Sequence, residues 1–295
     1  MKSTINTSQL ITLPDGRSLE YIEYGDCSGT PVLYNHGMPG SAFEAQVLND
    51  VFKDNGLRVI CPNRPGIGRS SSLSEYSLSQ ITQDCFFLLE SLAFNKVTVI
   101  GWSSGGVPSL WQAKHSHTQI SQVILLSSYS HFAELDQAPS HFAGQASVLK
   151  QVTTRFPALG LLACKMAGYL LKYMPSLYFK LLMQHCHTPD SDIIEAHPHY
   201  RDMLIEAQKQ SISQSASTLF MDLLIQFREW PFYLKSIECP VTVFQGDRDP
   251  FVPERIGQHL ADCLPNAQYH LLPGQGHMYW FEKSFQYRLA RLCQI

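Results

Sequence analysis

The sequence predicts an α/β fold: a mostly parallel β-sheet flanked by helices, with a helical subdomain inserted part-way along the chain. Three observations carry the prediction. Short β-prone runs alternate with helix-patterned segments over residues 30–126, the rhythm of a parallel sheet covered on both faces. That rhythm stops near Ser130 for roughly a hundred residues, too long for a loop of a compact domain. It resumes at Val241 and continues to the last helix.

The elements follow in order. Residues 10–13 and 19–24 are short β-prone runs separated by the turn sequence Pro14-Asp15-Gly16. Residues 30–35 (TPVLYN) suit a buried strand ending at His36-Gly37. Residues 42–55 pattern as a helix closed by Gly56, and 57–61 (LRVIC) as a strand. From 77 to 94, Leu78, Ile81, Cys85, Leu88, Leu89 and Leu92 line one helix face. Residues 96–100, 120–126, 241–245 and 268–272 read as strands, and 105–115 and 253–264 as helices, with a terminal helix from Phe281. The resulting division is a core of residues 1–130 and 236–295 and a helical cap of residues 131–235 inserted after the sixth core strand. Within it, residues 156–174 are rich in Leu, Ala and Tyr, but Lys165, Lys172, Pro157 and two glycines argue against a membrane span.

At 295 residues the chain has room for a large core, and 44% hydrophobic with 16% charged residues is an ordinary globular balance. A net charge of -3 offers no basic footprint for nucleic acid. The eight cysteines stand singly and form no C-x-x-C pair, and residues 1–10 hold no signal-like apolar run. Reduced thiols in a cytoplasmic protein are expected, with Asn6-Thr7-Ser8 a chance glycosylation match. The sequence leaves a homodimer open.

Strand 96–100 runs into Gly101-Trp102-Ser103-Ser104-Gly105-Gly106, and a helix follows. G-x-S-x-G between a strand and a helix makes a turn so tight that only small residues fit two positions to either side of the serine. The turn lifts the Ser103 hydroxyl above the sheet, beside the positive end of the new helix. A serine hydroxyl becomes a nucleophile only when a base takes its proton. His277, in Gly274-Gln275-Gly276-His277 after the last strand, is the candidate base. His115 and His117 close a helix, and His185, His187, His197 and His199 lack acidic or cysteine partners at metal-ligand spacing, so no metal is expected. The imidazole needs a carboxylate to orient it, and Gly246-Asp247-Arg248-Asp249-Pro250 supplies two. Asp249 is favoured because the loop can return it to the histidine, while Asp247 caps the turn or pairs with Arg248. Oxyanion donors are expected in the backbone N–H groups of Ser104 and of Met38, since Pro39 has none to donate. His36 and Gly37 then brace that loop.

The order Ser103, Asp249, His277, together with His36-Gly37, the segment Arg64-Pro65-Gly66-Ile67-Gly68-Arg69-Ser70 and the final histidine loop, resembles the α/β-hydrolase family over nearly the whole chain. The resemblance implies a helical cap after the sixth strand and an esterase- or peptidase-like chemistry without cofactor. Asn63 departs from the pattern, since many relatives carry aspartate before the arginine. Ser103 separates the chain from the epoxide hydrolases and haloalkane dehalogenases of this fold, which have aspartate there. The expected activity is hydrolysis of a small or medium apolar ester, with Leu161, Leu162, Leu170, Leu171 and Leu181 either lining an apolar pocket or packing the cap itself. Aminopeptidase, C–C hydrolase, perhydrolase and acyltransferase activities use the same groups. An aminopeptidase would need a cap carboxylate for the free amine, and Asp190, Asp192, Glu195 and Glu206 are available. A non-catalytic small-molecule-binding protein is the alternative from another class.

Overall fold

The computed structural model describes residues 8–115, 119–134, 145–186 and 188–294, with backbone alone for 145–149. Eight strands form one sheet in the order β1-β2-β4-β3-β5-β6-β7-β8. They are β1 (Gln9–Thr12), β2 (Ser18–Gly25), β3 (Thr30–Asn35), β4 (Leu57–Pro62), β5 (Val97–Trp102), β6 (Ile120–Leu126), β7 (Val241–Gly246) and β8 (Ala267–Leu272). The first two pair antiparallel, β2 meets β4 antiparallel, and the rest of the sheet is parallel. The expected α/β architecture is therefore present. Every side chain of β5 and β7 is buried, which explains why these strands read as apolar runs without alternation.

Five core helices cover the two faces: α1 (Asn49–Asp54), α2 (Leu78–Ser91), α3 (Gly106–His115) and, after the insertion, two more, Glu254–Cys263 and Lys283–Cys293. Between β6 and β7 the described residues hold six helices: α4 (Gln145–Arg155), α5 (Pro157–Tyr173), α6 (Pro175–Met183), α7 (Thr188–Ala196), α8 (Pro198–Ser211) and α9 (Ser217–Phe227). The two later core helices are then α10 (Glu254–Cys263) and α11 (Lys283–Cys293). Phe52 of α1 and Leu289 of α11 pack on one side of the sheet, and Leu89 of α2, Leu110 of α3 and Leu260 of α10 on the other. A third apolar cluster joins Leu171, Phe220, Leu223 and Phe227 of the insertion to Val252 and Ile256 of the core.

Two local expectations differ from what forms. The helix expected over 42–55 is a 3-10 segment, Ala42–Leu48, followed by the short α1. Its start is tethered: Ser41 accepts from Phe43 N, Asn63 Oδ1 accepts from Ala42 N at 2.7 Å, and the buried Glu44 carboxyl group accepts from Gly37 N at 2.8 Å. Such anchors favour the tighter winding over a regular α-helix. The last helix starts after a 3-10 turn, Tyr279–Phe281, and not at Phe281 itself.

Asn63, the departure noted above, is fully buried, and its Nδ2 donates to Glu20 Oε2 at 2.8 Å while its Oδ1 serves Ala42. An amide satisfies both neighbours, because one demands a donor and the other an acceptor. Asn63→Asp would set a second carboxylate against Glu20. It should lower stability by about 2 kcal/mol at neutral pH, read as a lower denaturant midpoint; an unchanged midpoint would refute the assignment.

Candidate active site

The parallel register brings the ends of β3, β5, β6, β7 and β8 to one edge of the sheet, where Asn35 pairs with Gly101, Trp102 with Leu126, Leu126 with Phe244, and Gly246 with Leu272. The loops that leave this edge carry all of the expected site residues. Crevices at the carboxyl ends of parallel strands are where α/β sheets bind ligands.

Trp102 ends β5, and a single 3-10 turn, Ser103–Gly105, leads into α3. Ser103 adopts φ 53°, a left-handed conformation that costs a non-glycine residue about 1 kcal/mol or more. The surroundings enforce it. A Cβ on Gly105 would lie 2.1 Å from Asn35 O, and one on Gly101 would lie 2.5 Å from Ser109 Oγ. Ser128 Oγ donates to Ser103 O at 3.0 Å, and Ser109 Oγ to Gly105 O at 2.8 Å.

His277 Nδ1 donates to Asp249 Oδ2 at 2.7 Å. The other oxygen of Asp249 accepts from Phe251 N and Val252 N, both at 2.9 Å, so the loop after β7 closes around its own carboxylate. Asp247 instead accepts from Gly274 N at 2.7 Å and ties its loop to the histidine loop; its expected pairing with Arg248 is not among the ion pairs of the described residues. The imidazole stands 5.3 Å, centroid to centroid, from the indole of Trp102, the residue before Ser103, with Phe251 edge-on at 5.1 Å. Burial alone would lower the His277 pKa, but the contact with Asp249 and the nearby Asp190 raise it above its ordinary value.

The loop after β3 is held from beneath. His36 is fully buried and its Nδ1 donates to Gly37 O at 2.9 Å. Burial and the neighbouring Arg64 guanidinium push its pKa well down, so the ring is neutral. Arg64 donates to His36 O at 2.8 Å and to Gly37 O at 2.9 Å, and binds Asp222 of α9 through Nε at 3.0 Å and Nη2 at 2.7 Å. Tyr76 Oη completes the group with a 2.5 Å bond to Asp222 Oδ1. Glu44 sits beside this network, and burial pushes its pKa up to about 8. Met38 packs against the apolar cluster shared with the insertion, and Ser104 is buried in the middle of the 3-10 turn.

Two further residues matter in roles that sequence reasoning did not assign, although Asp190 was among the candidate carboxylates for an amine. Asp190 of α7 is fully buried and accepts from His277 N at 3.0 Å and Met278 N at 2.7 Å. A Cβ on Gly276 would lie within 2.3 Å of its carboxylate, so that glycine makes the approach feasible. Acid in a helix's first turn ordinarily reads as a terminal charge, which concealed this role. Asp222 did carry a signal: it is the only charged residue in the helix STLFMDLLIQF, and a charge on so apolar a helix needs a buried partner. Of the histidines considered earlier, His117 and His187 lie outside the described residues, as do Asn6 and Thr7. Among the described residues no group of three or more His, Cys, Asp or Glu could hold a metal ion, all eight cysteines are unpaired, and no helix is long and apolar enough to cross a membrane.

A family model described as alpha/beta hydrolase fold matches residues 30–284. The chain belongs to the α/β-hydrolase family. This hydrolase is 25% identical over 270 residues to the uncharacterized hydrolase YcgS of Bacillus subtilis (strain 168), covering 92% of each chain. It is 28% identical to a non-heme haloperoxidase of Rhodococcus erythropolis, over 90% of this chain and 92% of that one. The solved structure of the esterase EaEST from Exiguobacterium antarcticum superposes with a TM-score of 0.75, covering 98% of this chain and all of that one at 16% identity, a likeness of fold.

The Arg64 network makes a direct prediction for the hydrolase. Asp222→Ala leaves a buried guanidinium without its counter-charge and should cost about 3–5 kcal/mol in chemical denaturation. A loss below about 1 kcal/mol, the range of exposed pairs, would show that the charge is solvated.

Proposed function

We propose that this hydrolase cleaves a small or medium apolar ester through an acyl-enzyme, with Ser103 as nucleophile, His277 as general base and Asp249 as the carboxylate that orients it. The observation that carries this reading is the 2.7 Å bond from His277 Nδ1 to Asp249 beside the strained Ser103 turn. That bond fixes the tautomer with Nε2 unprotonated, the form that can accept the serine proton. Ser103 Oγ attacks the ester carbonyl as Nε2 takes its proton. The N–H groups of Met38 and Ser104 hold the negative oxygen of the tetrahedral intermediate. The imidazolium then protonates the leaving alcohol, and water, deprotonated by the same nitrogen, releases the acid. Residues 1–130 and 236–295 act as the catalytic core in this reading and residues 131–235 as its cap.

A second reading draws on the haloperoxidase relative: hydrogen peroxide in place of water would take the acyl group and yield a peracid. An aminopeptidase finds less support. Asp190 is already engaged by two N–H groups, and Asp192, Glu195 and Glu206 are exposed.

Ser103→Ala should abolish both turnover of p-nitrophenyl esters and labelling by a fluorophosphonate probe. Asp249→Asn should lower kcat by about 10⁴-fold, as loss of the orienting carboxylate does in other triads. A mild effect there with a severe one for Asp247→Asn would move the acid by two residues. The pH profile carries a separate prediction. The base works only when neutral, so the rate rises with pH through the His277 pKa, and its acid limb lies above the ordinary histidine value of 6.5. Asp190→Asn removes one of the two charges that raise that pKa, so its limb should move to lower pH with kcat reduced more than KM is changed. An unmoved limb would leave Asp190 a purely structural tie.

A further inference from the structure

A surface helix normally turns its large apolar residues inward. α5 does the reverse. Its buried face is Gly160, Cys164, Gly168 and Leu171, and the two glycines close onto Phe220 and Ala216, where a Cβ would lie 3.0 and 2.5 Å away. Its outer face carries Leu159, Leu162, Met166, Tyr169 and Tyr173, each between 53% and 65% exposed, and Leu177 of α6 continues the stripe. Nine of the thirteen exposed large hydrophobic residues among those described fall between Phe156 and Leu181, so this is one patch and not ordinary scatter. Leu162 and Leu181, expected in a pocket, are 53% and 40% exposed and belong to it.

Charge identifies the partner. From residue 137 to 189 there is no aspartate or glutamate, while Lys150, Arg155, Lys165, Lys172 and Lys180 are present in a chain whose net charge is -3. Arg155, Lys165, Lys172 and Lys180 are exposed, and none forms an ion pair among the described residues. A second copy meeting this face across a two-fold axis would set these like charges against each other. Apolar side chains interleaved with lysines and flanked by tyrosines instead match an anionic lipid surface, where lysines reach headgroup phosphates and tyrosines settle at the polar boundary. No described helix can span a membrane, so the contact lies on the surface.

We propose that the outer face of α5 and α6 docks onto anionic bilayers, its apolar stripe in the headgroup boundary and its lysines on the phosphates. If the serine-esterase reading holds, on which this consequence rests, the substrates are apolar esters that partition into the membrane. The full chain should co-sediment with phosphatidylcholine vesicles that contain phosphatidylserine, bind pure phosphatidylcholine weakly, and be released by high salt. Lys165→Glu and, separately, Met166→Glu should each weaken binding about tenfold or more, while melting temperature and hydrolysis of a water-soluble ester stay at wild-type values. Ser103→Ala should bind vesicles as the wild type does, so a failure of the catalytic reading is separable from a failure of this one. Wild-type protein left in the supernatant with anionic vesicles would overturn the proposal. So would a stable dimer in sedimentation equilibrium that Met166→Glu dissociates, which would make a second copy the occupant.

Discussion

A guanidinium buried at the end of β4 has five N–H groups to satisfy, and Arg64 divides them between two parts of the chain that are far apart in sequence. It reaches the carbonyls of His36 and Gly37 on one side and the Asp222 carboxylate of α9 on the other. Neither set would suffice alone. The carbonyls cannot neutralise the charge, and the carboxylate cannot orient the loop. The guanidinium that holds the β3 loop thus finds its counter-charge only in the insertion. Burial, with the Arg64 charge beside it, lowers the pKa of His36 and keeps that ring a neutral brace, and His277 is the imidazole near the Ser103 turn with a carboxylate in contact.

The histidine loop is held by a parallel device. Asp249 approaches the imidazole from the core, and Asp190 approaches the backbone of the same residue from the insertion. A glycine at 276 is needed because the Asp190 carboxylate fills the volume a side chain would take. The sequence reader sees Gly276 as a turn residue. In the structure its lack of a Cβ makes room for a carboxylate about 86 positions away in the chain, a purpose that local turn chemistry does not reveal.

That difference explains what was legible. The strands at 30–35, 120–126, 241–245 and 268–272 and the Ser103 turn were readable because apolar periodicity and the spacing of small residues are local properties of the chain. The choice of Asp249 over Asp247 was argued from loop reach; in the structure Asp249 lies 2.7 Å from His277 Nδ1, while Asp247 accepts from Gly274 N. What could not be read were pairings across the insertion: Asp190 with the N–H groups of His277 and Met278, and Asp222 with Arg64 and Tyr76. The 3-10 winding of residues 42–48 belongs with them, since its anchors Asn63 and Gly37 come from other loops. Local pattern names an element, and remote hydrogen bonds decide its exact form.

Both faces of the insertion can now be related. Its inner side sends two carboxylates inward, Asp190 on α7 to the histidine loop and Asp222 on α9 to Arg64, which in turn holds the β3 loop, while small residues let α5 settle close against α9 and the segment before it. Its outer side displays the large apolar residues that this close packing displaced from the interior. A partner on the outer face therefore touches no site residue, yet any shift of the helices it imposed would pass inward through Asp190 and Asp222. Those two contacts tie the histidine loop and Arg64 to the same insertion, and each holds because a buried carboxylate parted from its donors would be left unpaired.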